Sequence, residues 1–380
     1  MEIYFNFNMP ASGRNFIGRK KDVDIVTNLI RSGESIALYG EPHCGYSSLV
    51  KQALMQLQLS SFQANVLEID LLNCRTNSDV LSRYASCVMR LFLRSMEDIQ
   101  ANSYSFLDGS GWTVDEDAFY TGGDFFHFEG GKPDAEACYK VLSLPCKLAG
   151  TRRTILYFKN FQNINEDSEA YILLKAYEKL LVSDKSTCSA IFTGTAMNGM
   201  KEIFEVKRYF WKDVVIFPLS QISDAEIIEY VHKGFQNKGK VVERKTISEY
   251  VHILRNNMWY INTLFALTDY ISVGYVVPKT LLEAMQLLLG LHKPRFLDKM
   301  ASLTDFQISL LKAVVDGETR MSATAVVENY GLNSSANVKR LKDALIKKEV
   351  LWFDEKDEPH IQDALFEWWL RTEYFGVSEN

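Results

Sequence analysis

The sequence G-E-P-H-C-G-Y-S-S at residues 40–48 decides the fold of this chain. Its two glycines and the hydroxyl of Ser47 keep the spacing G-x-x-x-x-G-K-[ST]. In that pattern the backbone N–H groups bind phosphate at the start of a helix. Tyr46 stands where a lysine would reach the β- and γ-phosphates. The stretch therefore predicts a phosphate-loop scaffold whose chemistry is impaired.

The flanking sequence gives the loop the context that this motif requires. A short apolar run at residues 35–39 leads into it, and helical periodicity follows from residue 48 to about residue 59. Other short β-rich runs alternate with helical stretches, at residues 65–70, 154–158, 189–193 and 214–217. This alternation predicts an α/β domain with a parallel sheet covered by helices on both faces.

Two later regions break the α/β rhythm. Residues 101–134 are rich in Gly, Phe, Asp and Ser, which we interpret as an insertion or long ordered loop. Helical periodicity then marks residues 223–237, 243–256, 258–273 and 278–289. We therefore expect a P-loop domain at residues 1–218, with 101–134 as its insertion, and a helical lid domain at residues 219–297.

The C-terminal third predicts a winged helix-turn-helix domain at residues 298–380. Pro294 precedes it, and Thr304 with Gln307 forms a capping-box signal at its first helix. Helical patterns and then two short strand patterns follow, at residues 304–316, 321–330, 334–348, 350–353 and 359–362. Three helices followed by a short hairpin are typical of a winged helix.

Composition excludes several other classes of protein. The 380 residues carry a net charge of −6, with 47% apolar and 24% charged residues, which is ordinary for a globular protein. The six cysteines form no C-x-x-C pair, which argues against a disulfide framework or a zinc site. The sequence shows no signal peptide and no membrane-spanning run, so we expect a cytoplasmic protein without a membrane partner.

Five segments in order resemble the archaeal-type branch of the AAA+ ATPases. F-I-G-R at residues 16–19 resembles the box that lies against the nucleotide base, and residues 40–47 stand where the Walker A loop belongs. Residues 154–162 take the place of the Walker B strand, and F-T-G-T at 192–195 resembles the sensor 1 segment. Residues 360–370 resemble the closing D-P-x-F-x-x-W helix, with Ala364 at the usual proline.

The resemblance implies a set of nucleotide-binding residues and the replacement of residues that the family uses for catalysis. The implied positions are Gly18, Arg19, Gly40, Gly45, Tyr46, Ser47, Ser48, Lys159, Asn160 and Thr193. Lys159 replaces the magnesium-supporting aspartate, and Asn160 replaces the glutamate that would polarise water. Phosphoryl transfer depends on these groups for positioning and electrostatic stabilisation. We therefore expect no catalytic residues, no metal site and no functional hydrolysis.

The missing lysine does not by itself exclude weak binding of ATP or ADP. A charged hydrogen bond contributes roughly 1.5–3 kcal/mol, so the missing lysine costs on the order of ten- to a hundred-fold in affinity. Lys159 allows two interpretations. Its ammonium would lie near Ser47 and replace part of a magnesium charge, or it would pair with Glu41 or Asp70 and close an empty site.

The predicted winged helix raises the question of DNA. Its third helix carries the candidate contacts Ser335, Asn337, Lys339, Arg340 and Lys342. The acidic wing tip, D-E-K-D-E at residues 354–358, would repel a phosphate backbone. Winged helices also dock proteins, and an unknown protein partner is the expectation that we prefer.

The sequence thus predicts a degenerate AAA+ protein without ATPase activity, which acts as a regulatory or interaction protein with at most weak nucleotide binding. Two alternatives stay open. One is an active ATPase with a rearranged site, and the other is a DNA-binding regulator that works through the winged helix.

Overall fold

The structure is a computed structural model that describes residues 4–107, 109–129, 131–183 and 187–376. The chain forms two compact units. The α/β unit consists of Lys21–Gly40 and Leu49–Leu219. The helical unit consists of Met1–Lys20, Glu41–Ser48 and Ser220–Asn380, so it includes most of the phosphate loop.

The α/β unit is built on a five-stranded parallel sheet, β2-β5-β6-β1-β7. Its strands are β1 (Ser35–Leu38), β2 (Ala64–Asp70), β5 (Arg153–Lys159), β6 (Cys188–Thr193) and β7 (Val214–Ile216). Every residue of β1 and β6 is buried. Because side chains alternate between the faces of a strand, both faces of the sheet are covered there. The α/β class and its five predicted strands are confirmed.

Helices connect and flank these strands, and the first two of them begin in the helical unit, with Lys20 and residues 46–48. They are α1 (Lys20–Ser32), α2 (Tyr46–Leu59), α3 (Asn77–Phe92), α4 (Met96–Leu107), α5 (Glu116–Thr121), α6 (Ala135–Leu142), α7 (Leu144–Leu148), α8 (Ala170–Ser183) and α9 (Met197–Lys201). A 3-10 turn at Phe161–Glu166 follows β5, and a π-helical turn at Glu202–Val206 follows α9.

Residues 101–134, which we interpreted as an insertion or long loop, contain regular structure of their own. The strands β3 (Trp112–Val114) and β4 (Phe126–Phe128) pair in an antiparallel hairpin. The Trp112 and Phe126 rings stack with centroids 5.5 Å apart, and Ser86 of α3 accepts hydrogen bonds from the Phe125 and Phe126 N–H groups. The phenylalanines of this segment therefore form a small core against α3. Residues 108 and 130 lie outside the described residues.

The helical unit contains the expected lid helices and winged helix. Its helices are α10 (Asp224–Gln236), α11 (Arg244–Ile253), α12 (Met258–Ile271), α13 (Pro278–Ala301), α14 (Asp305–Val315), α15 (Thr324–Asn329), α16 (Ser335–Lys347) and α17 (Ala364–Trp369). Its short strands are β8 (Val241–Val242), β9 (Tyr275–Val276), β10 (Leu351–Phe353) and β11 (Pro359–Ile361). β8 pairs with β9 in parallel, and β10 pairs with β11 antiparallel as the wing. The Thr304–Gln307 capping box is present at α14.

α13 is twelve residues longer than the sequence pattern predicted, because it continues through Pro294 to Ala301. A proline inside a helix removes one backbone hydrogen bond. Here Phe296 and Met300 continue the buried face of the helix beyond the proline. Burial of these two side chains outweighs the lost bond. One apolar core runs from Phe5 through the lid helices to Trp369, and the limits 219–297 and 298–380 stay predictions.

Among the described residues, no helix is both long and apolar enough to span a bilayer.

Candidate functional site

The phosphate loop turns at the glycine that the motif requires. The loop follows β1, and α2 begins at Tyr46, whose side chain is buried. Gly45 has φ of 103° and His43 has φ of 60°, both in the left-handed region. A residue with a side chain would be strained at Gly45, so only glycine fits there without cost.

Arg19 places a guanidinium against this loop. Its Nη1 donates to the Cys44 carbonyl oxygen over 2.6 Å, and its Nε donates to the Ser220 carbonyl oxygen over 2.9 Å. A Cβ at Gly45 would stand 2.7 Å from Arg19 Nη1. The structure thus brings together Arg19 and Gly45, two of the predicted residues. The Arg19 guanidinium lies beside Gly45, which directly precedes the position of the missing lysine.

The remaining small residues of the predicted set have different surroundings. A Cβ at Gly18 would lie 2.5 Å from Cγ2 of Ile222, so this glycine allows close packing. The Ser48 hydroxyl accepts a hydrogen bond from the Ala11 N–H over 2.9 Å. Ser47 is exposed. The helical unit therefore uses Gly18 and Ser48 for its own packing and leaves Ser47 open to solvent.

Asn257 joins the phosphate loop to the start of α12. Its Oδ1 caps the helix by accepting from the Trp259 and Tyr260 N–H groups, over 3.1 and 3.4 Å. Its Nδ2 donates to the Pro42 carbonyl oxygen over 2.9 Å. The His43 ring stacks on Trp259, with centroids 4.0 Å apart and 14° between planes. Our sequence analysis missed these contacts. The sequence shows an asparagine at the start of the helical pattern, but it does not show that Asn257 also contacts Pro42.

Arg255 provides a charged link in the same unit. Its Nη1 lies 3.8 Å from a Glu41 oxygen and 3.7 Å from a Glu367 oxygen, and its Nη2 donates to the Gln362 carbonyl oxygen over 3.1 Å. Burial raises the pKa of the Glu41 carboxyl above its ordinary value, although Arg255 opposes that shift. The first residue after Gly40 is therefore held by a lid arginine.

Asp363, the aspartate of the closing motif, is the centre of a buried network. Both of its carboxylate oxygens accept from the Tyr260 hydroxyl over 2.8 Å, and Oδ2 accepts from Arg295 Nη2 over 2.9 Å. Its Oδ1 also caps α17 by accepting from the Leu365 and Phe366 N–H groups. Burial, with the Asp363 charge second, raises the pKa of Tyr260. The hydroxyl therefore remains a donor.

At the end of β5, the two residues that the sequence places at the Walker B position, Lys159 and Asn160, contact acidic residues of β2. Lys159 donates a hydrogen bond to Glu68, and Asn160 Nδ2 donates to Asp70 Oδ1 over 2.8 Å. Asn160 Oδ1 also accepts from the Thr195 hydroxyl over 3.2 Å. Burial lowers the pKa of Lys159, but the hydrogen bond and charge of Glu68 outweigh burial and raise it.

The observed partner of Lys159 corrects one expectation. We considered Glu41 or Asp70 as its acidic partner. Glu41 is instead 3.8 Å from Arg255, whereas Asp70 is indeed opposite Lys159 in the sheet register. The long lysine side chain instead reaches Glu68, two residues back on the same face of β2. The Asp70 carboxylate accepts from Asn160.

Thr193, at the end of β6, is buried, and its hydroxyl donates to the Phe158 carbonyl oxygen over 3.0 Å. The predicted nucleotide-binding residues divide between the two units. Gly18, Arg19, Gly45, Tyr46, Ser47 and Ser48 belong to the helical unit, and Gly40, Lys159, Asn160 and Thr193 belong to the α/β unit.

Two of the five predicted DNA contacts make hydrogen bonds within the winged helix. Asn337 Nδ2 donates to the Leu332 carbonyl oxygen over 3.1 Å. Lys342 Nζ donates to both carboxylate oxygens of Asp357 over 2.7 Å and lies 4.1 Å from the Phe353 ring centroid. Only 17% of the Lys342 side chain is exposed. This lysine therefore fastens the wing to α16.

The other three predicted DNA contacts, Ser335, Lys339 and Arg340, are exposed on α16. The charge of the wing tip is partly offset, since Lys342 neutralises Asp357. Backbone N–H groups of the turn lower the pKa of Asp354. The surface of α16 thus keeps three of the predicted contacts available to a partner.

Comparisons with known proteins support the fold. Residues 294–372 match a family model described as a probable winged helix domain. A solved Walker-type ATPase of Pyrococcus abyssi shares 14% identity at a TM-score of 0.65, over 97% of this chain and 99% of that one. The ORC2 protein of Aeropyrum pernix in its ADP form shares 9% identity at a TM-score of 0.51, over 95% and 93%. No curated protein matches the sequence.

The parallel sheet, the phosphate loop and the winged helix together define a class. The chain has the fold of an AAA+ P-loop ATPase with a C-terminal winged helix. The resemblance identified in the sequence is therefore confirmed at the level of the fold. Among the described residues, no three His, Cys, Asp or Glu side chains are grouped so that they could hold a metal ion.

Proposed function

We propose that this chain is a degenerate AAA+ protein without ATPase activity, which acts as a regulatory or interaction protein and binds nucleotide weakly at most. The observation that carries the proposal is the state of the acidic residues beside the Walker B position. Glu68 and Asp70 are the carboxylates that could replace the lost acids. They instead accept hydrogen bonds from Lys159 and Asn160.

The phosphate loop supports the same proposal. Arg19 and Asn257 donate to loop carbonyl oxygens, and Trp259 stacks on a loop histidine. These contacts hold the loop through two of its carbonyl oxygens and its histidine ring. In this proposal the loop has a structural role, because it anchors the lid helices. Its glycines are then needed for the backbone conformation of the loop and not for binding phosphate.

The test compares nucleotide binding by wild type, Tyr46→Lys and Tyr46→Phe in calorimetric titrations with ATP and ADP, with and without magnesium. Tyr46→Lys restores the cation of the motif, and Tyr46→Phe is the matched control that removes the hydroxyl without adding charge. We expect Tyr46→Lys to bind about ten- to a hundred-fold more tightly than wild type. We expect Tyr46→Phe to match wild type.

Hydrolysis is measured on the same proteins. We expect none from wild type with magnesium. Turnover that is lost in Glu68→Gln or Asp70→Asn would contradict the proposal and favour an active ATPase with a rearranged site. Equal binding with and without a chelator would identify Lys159 as a substitute for magnesium charge. Absence of binding by Tyr46→Lys would show that the loop is closed to phosphate.

Binding of DNA through the winged helix is a second candidate, favoured by the exposed Lys339 and Arg340 on α16. Each phosphate contact contributes close to one unit to the salt dependence of affinity. If DNA binds, we expect Lys339→Ala/Arg340→Ala to weaken duplex binding and to reduce the salt slope by about two. The control is Lys245→Ala/Lys279→Ala, which removes two exposed lysines of the lid. A complete lack of binding at low salt would eliminate this candidate.

A further inference from the structure

Two thiols of the α/β unit lie in contact. Cys146 of α7 and Cys188 at the start of β6 have their Sγ atoms 3.3 Å apart. No disulfide joins them in the structure. Cys188 is buried, with 3% of its surface exposed, whereas Cys146 is partly exposed. Of the two residues, Cys146 is therefore the one nearer to solvent.

We propose that Cys146 and Cys188 form a reversible disulfide and make the α/β unit responsive to oxidation. A disulfide bond is about 2.05 Å long, so the sulfurs must approach by a little over 1 Å. The proposal therefore requires a side-chain movement of that size. The proposal concerns a site separate from the phosphate loop, and it is independent of whether nucleotide binds.

The chemistry balances with a peroxide as oxidant. The Cys146 thiol loses its proton, and the thiolate attacks one peroxide oxygen as the O–O bond breaks. This gives a sulfenic acid, and the hydroxide that leaves takes up the proton as water. The Cys188 sulfur then attacks the sulfenic sulfur, the S–S bond forms, and the hydroxyl leaves as a second water. Two thiols and one peroxide thus yield one disulfide and two waters. A dithiol reductant reverses the step by thiol–disulfide exchange.

The contact between the two sulfurs distinguishes this pair. Burial raises the pKa of the Cys44 and Cys138 thiols to about 12 and that of Cys74 to about 11, and it also raises the pKa of Cys87. Proximity of a second thiol, rather than acidity, therefore selects Cys146 and Cys188.

The cross-link would connect α7 to β6 and enclose a stretch of sequence between them. The two cysteines are 42 positions apart, and the enclosed chain includes β5 and α8. A disulfide stabilises mainly by limiting the unfolded chain, more so for longer loops. Oxidation should therefore raise the melting temperature of the protein. In a reducing compartment such a bond forms only transiently, as redox-sensing pairs do.

The experiment exposes the full-length protein to hydrogen peroxide, denatures it in an alkylating reagent, and counts the alkylated thiols by mass. We expect wild type to fall from six thiols to four, with a peptide map that joins Cys146 to Cys188. A thiol reductant should restore six. Cys146→Ser and Cys188→Ser should keep all five of their thiols, and the matched control Cys87→Ser should fall from five to three.

Thermal melting gives a second measurement. We expect oxidised wild type to melt at least about 4 °C above reduced wild type, with no such difference in Cys146→Ser. The peptide map needs only wild type, so the test stands even where a serine variant does not fold. A full count of six thiols after peroxide, or a bond that joins any other pair, would overturn the proposal.

Discussion

The Asp363 carboxylate connects three helices, since it contacts α12, α13 and α17. The sequence identifies it as the aspartate of a closing motif, next to an alanine where proline is usual. In the structure its carboxylate caps α17 and also accepts from Tyr260 and Arg295. Such a carboxylate cannot be removed without leaving buried donors unpaired, which is more costly than the loss of one hydrogen bond.

We expect Asp363→Ala to lower the free energy of unfolding by about 2–4 kcal/mol, since it removes the cap of α17 and leaves the buried Tyr260 hydroxyl without its acceptor. Asp363→Asn keeps a capping oxygen but not the charge, so we expect it to lose about half as much. Urea unfolding followed by circular dichroism measures both. A wild-type midpoint for Asp363→Ala would show that the network does not stabilise the fold.

His292 of α13 gives the helical unit a dependence on pH. Its ring lies 5.2 Å from Trp259 and 5.7 Å from Tyr260. Burial, helped by the Arg295 charge, lowers the pKa of His292 to about 4 from an ordinary value of 6.5. The unfolded chain therefore binds a proton near pH 6.5, whereas the folded chain resists it until about pH 4. The contribution of His292 to the free energy of unfolding is therefore fully present above pH 6.5, and it is lost as the pH falls toward 4.

Because His292 is partly exposed, solvent screening holds the effect to about 1 kcal/mol. We expect His292→Gln to lose less stability than wild type between pH 7 and about pH 4.5. His252→Gln changes a histidine of α11 and serves as the control. Urea midpoints across this range give the comparison, and equal slopes for wild type and His292→Gln would refute the assignment.

Helices and strands differ in how well their limits could be predicted. The five sheet strands were clear from short apolar runs, because a buried parallel strand is apolar on both faces. The hairpin of β3 and β4 was not predicted, because its aromatic residues stand among glycines and aspartates. α13 was predicted too short, since Pro294 is a local stop signal that packing of Phe296 overrides.

α13 also offers a test of helix propensity against backbone strain. Gly290 lies in the helix, and a Cβ there would meet no atom within 4 Å. We expect Gly290→Ala to stabilise the protein by about 0.5–1 kcal/mol. Gly331 is equally open but has φ of 63°, so we expect Gly331→Ala to destabilise by about 1 kcal/mol. Thermal melting of both variants checks the pair, and shifts of the same sign would contradict it.

At the scale of the whole molecule, the phosphate loop shares a compact unit with the lid helices, since Glu41–Ser48 is part of the helical unit. Asn257 donates to the Pro42 carbonyl oxygen, and Trp259 stacks on His43. These two lid residues therefore contact the loop on its first half.

The sequence by itself determined the order of strand, loop and helix, the winged helix, and the tyrosine at the lysine position of the phosphate-loop motif. Each of these is local, because periodicity and residue chemistry act over a few neighbouring positions. Only the tertiary structure decided which groups pair, as Lys159 does with Glu68, Asn257 with Pro42 and Cys146 with Cys188. These partners lie 91, 215 and 42 positions apart. Their contact depends on how the elements pack, which no local pattern encodes.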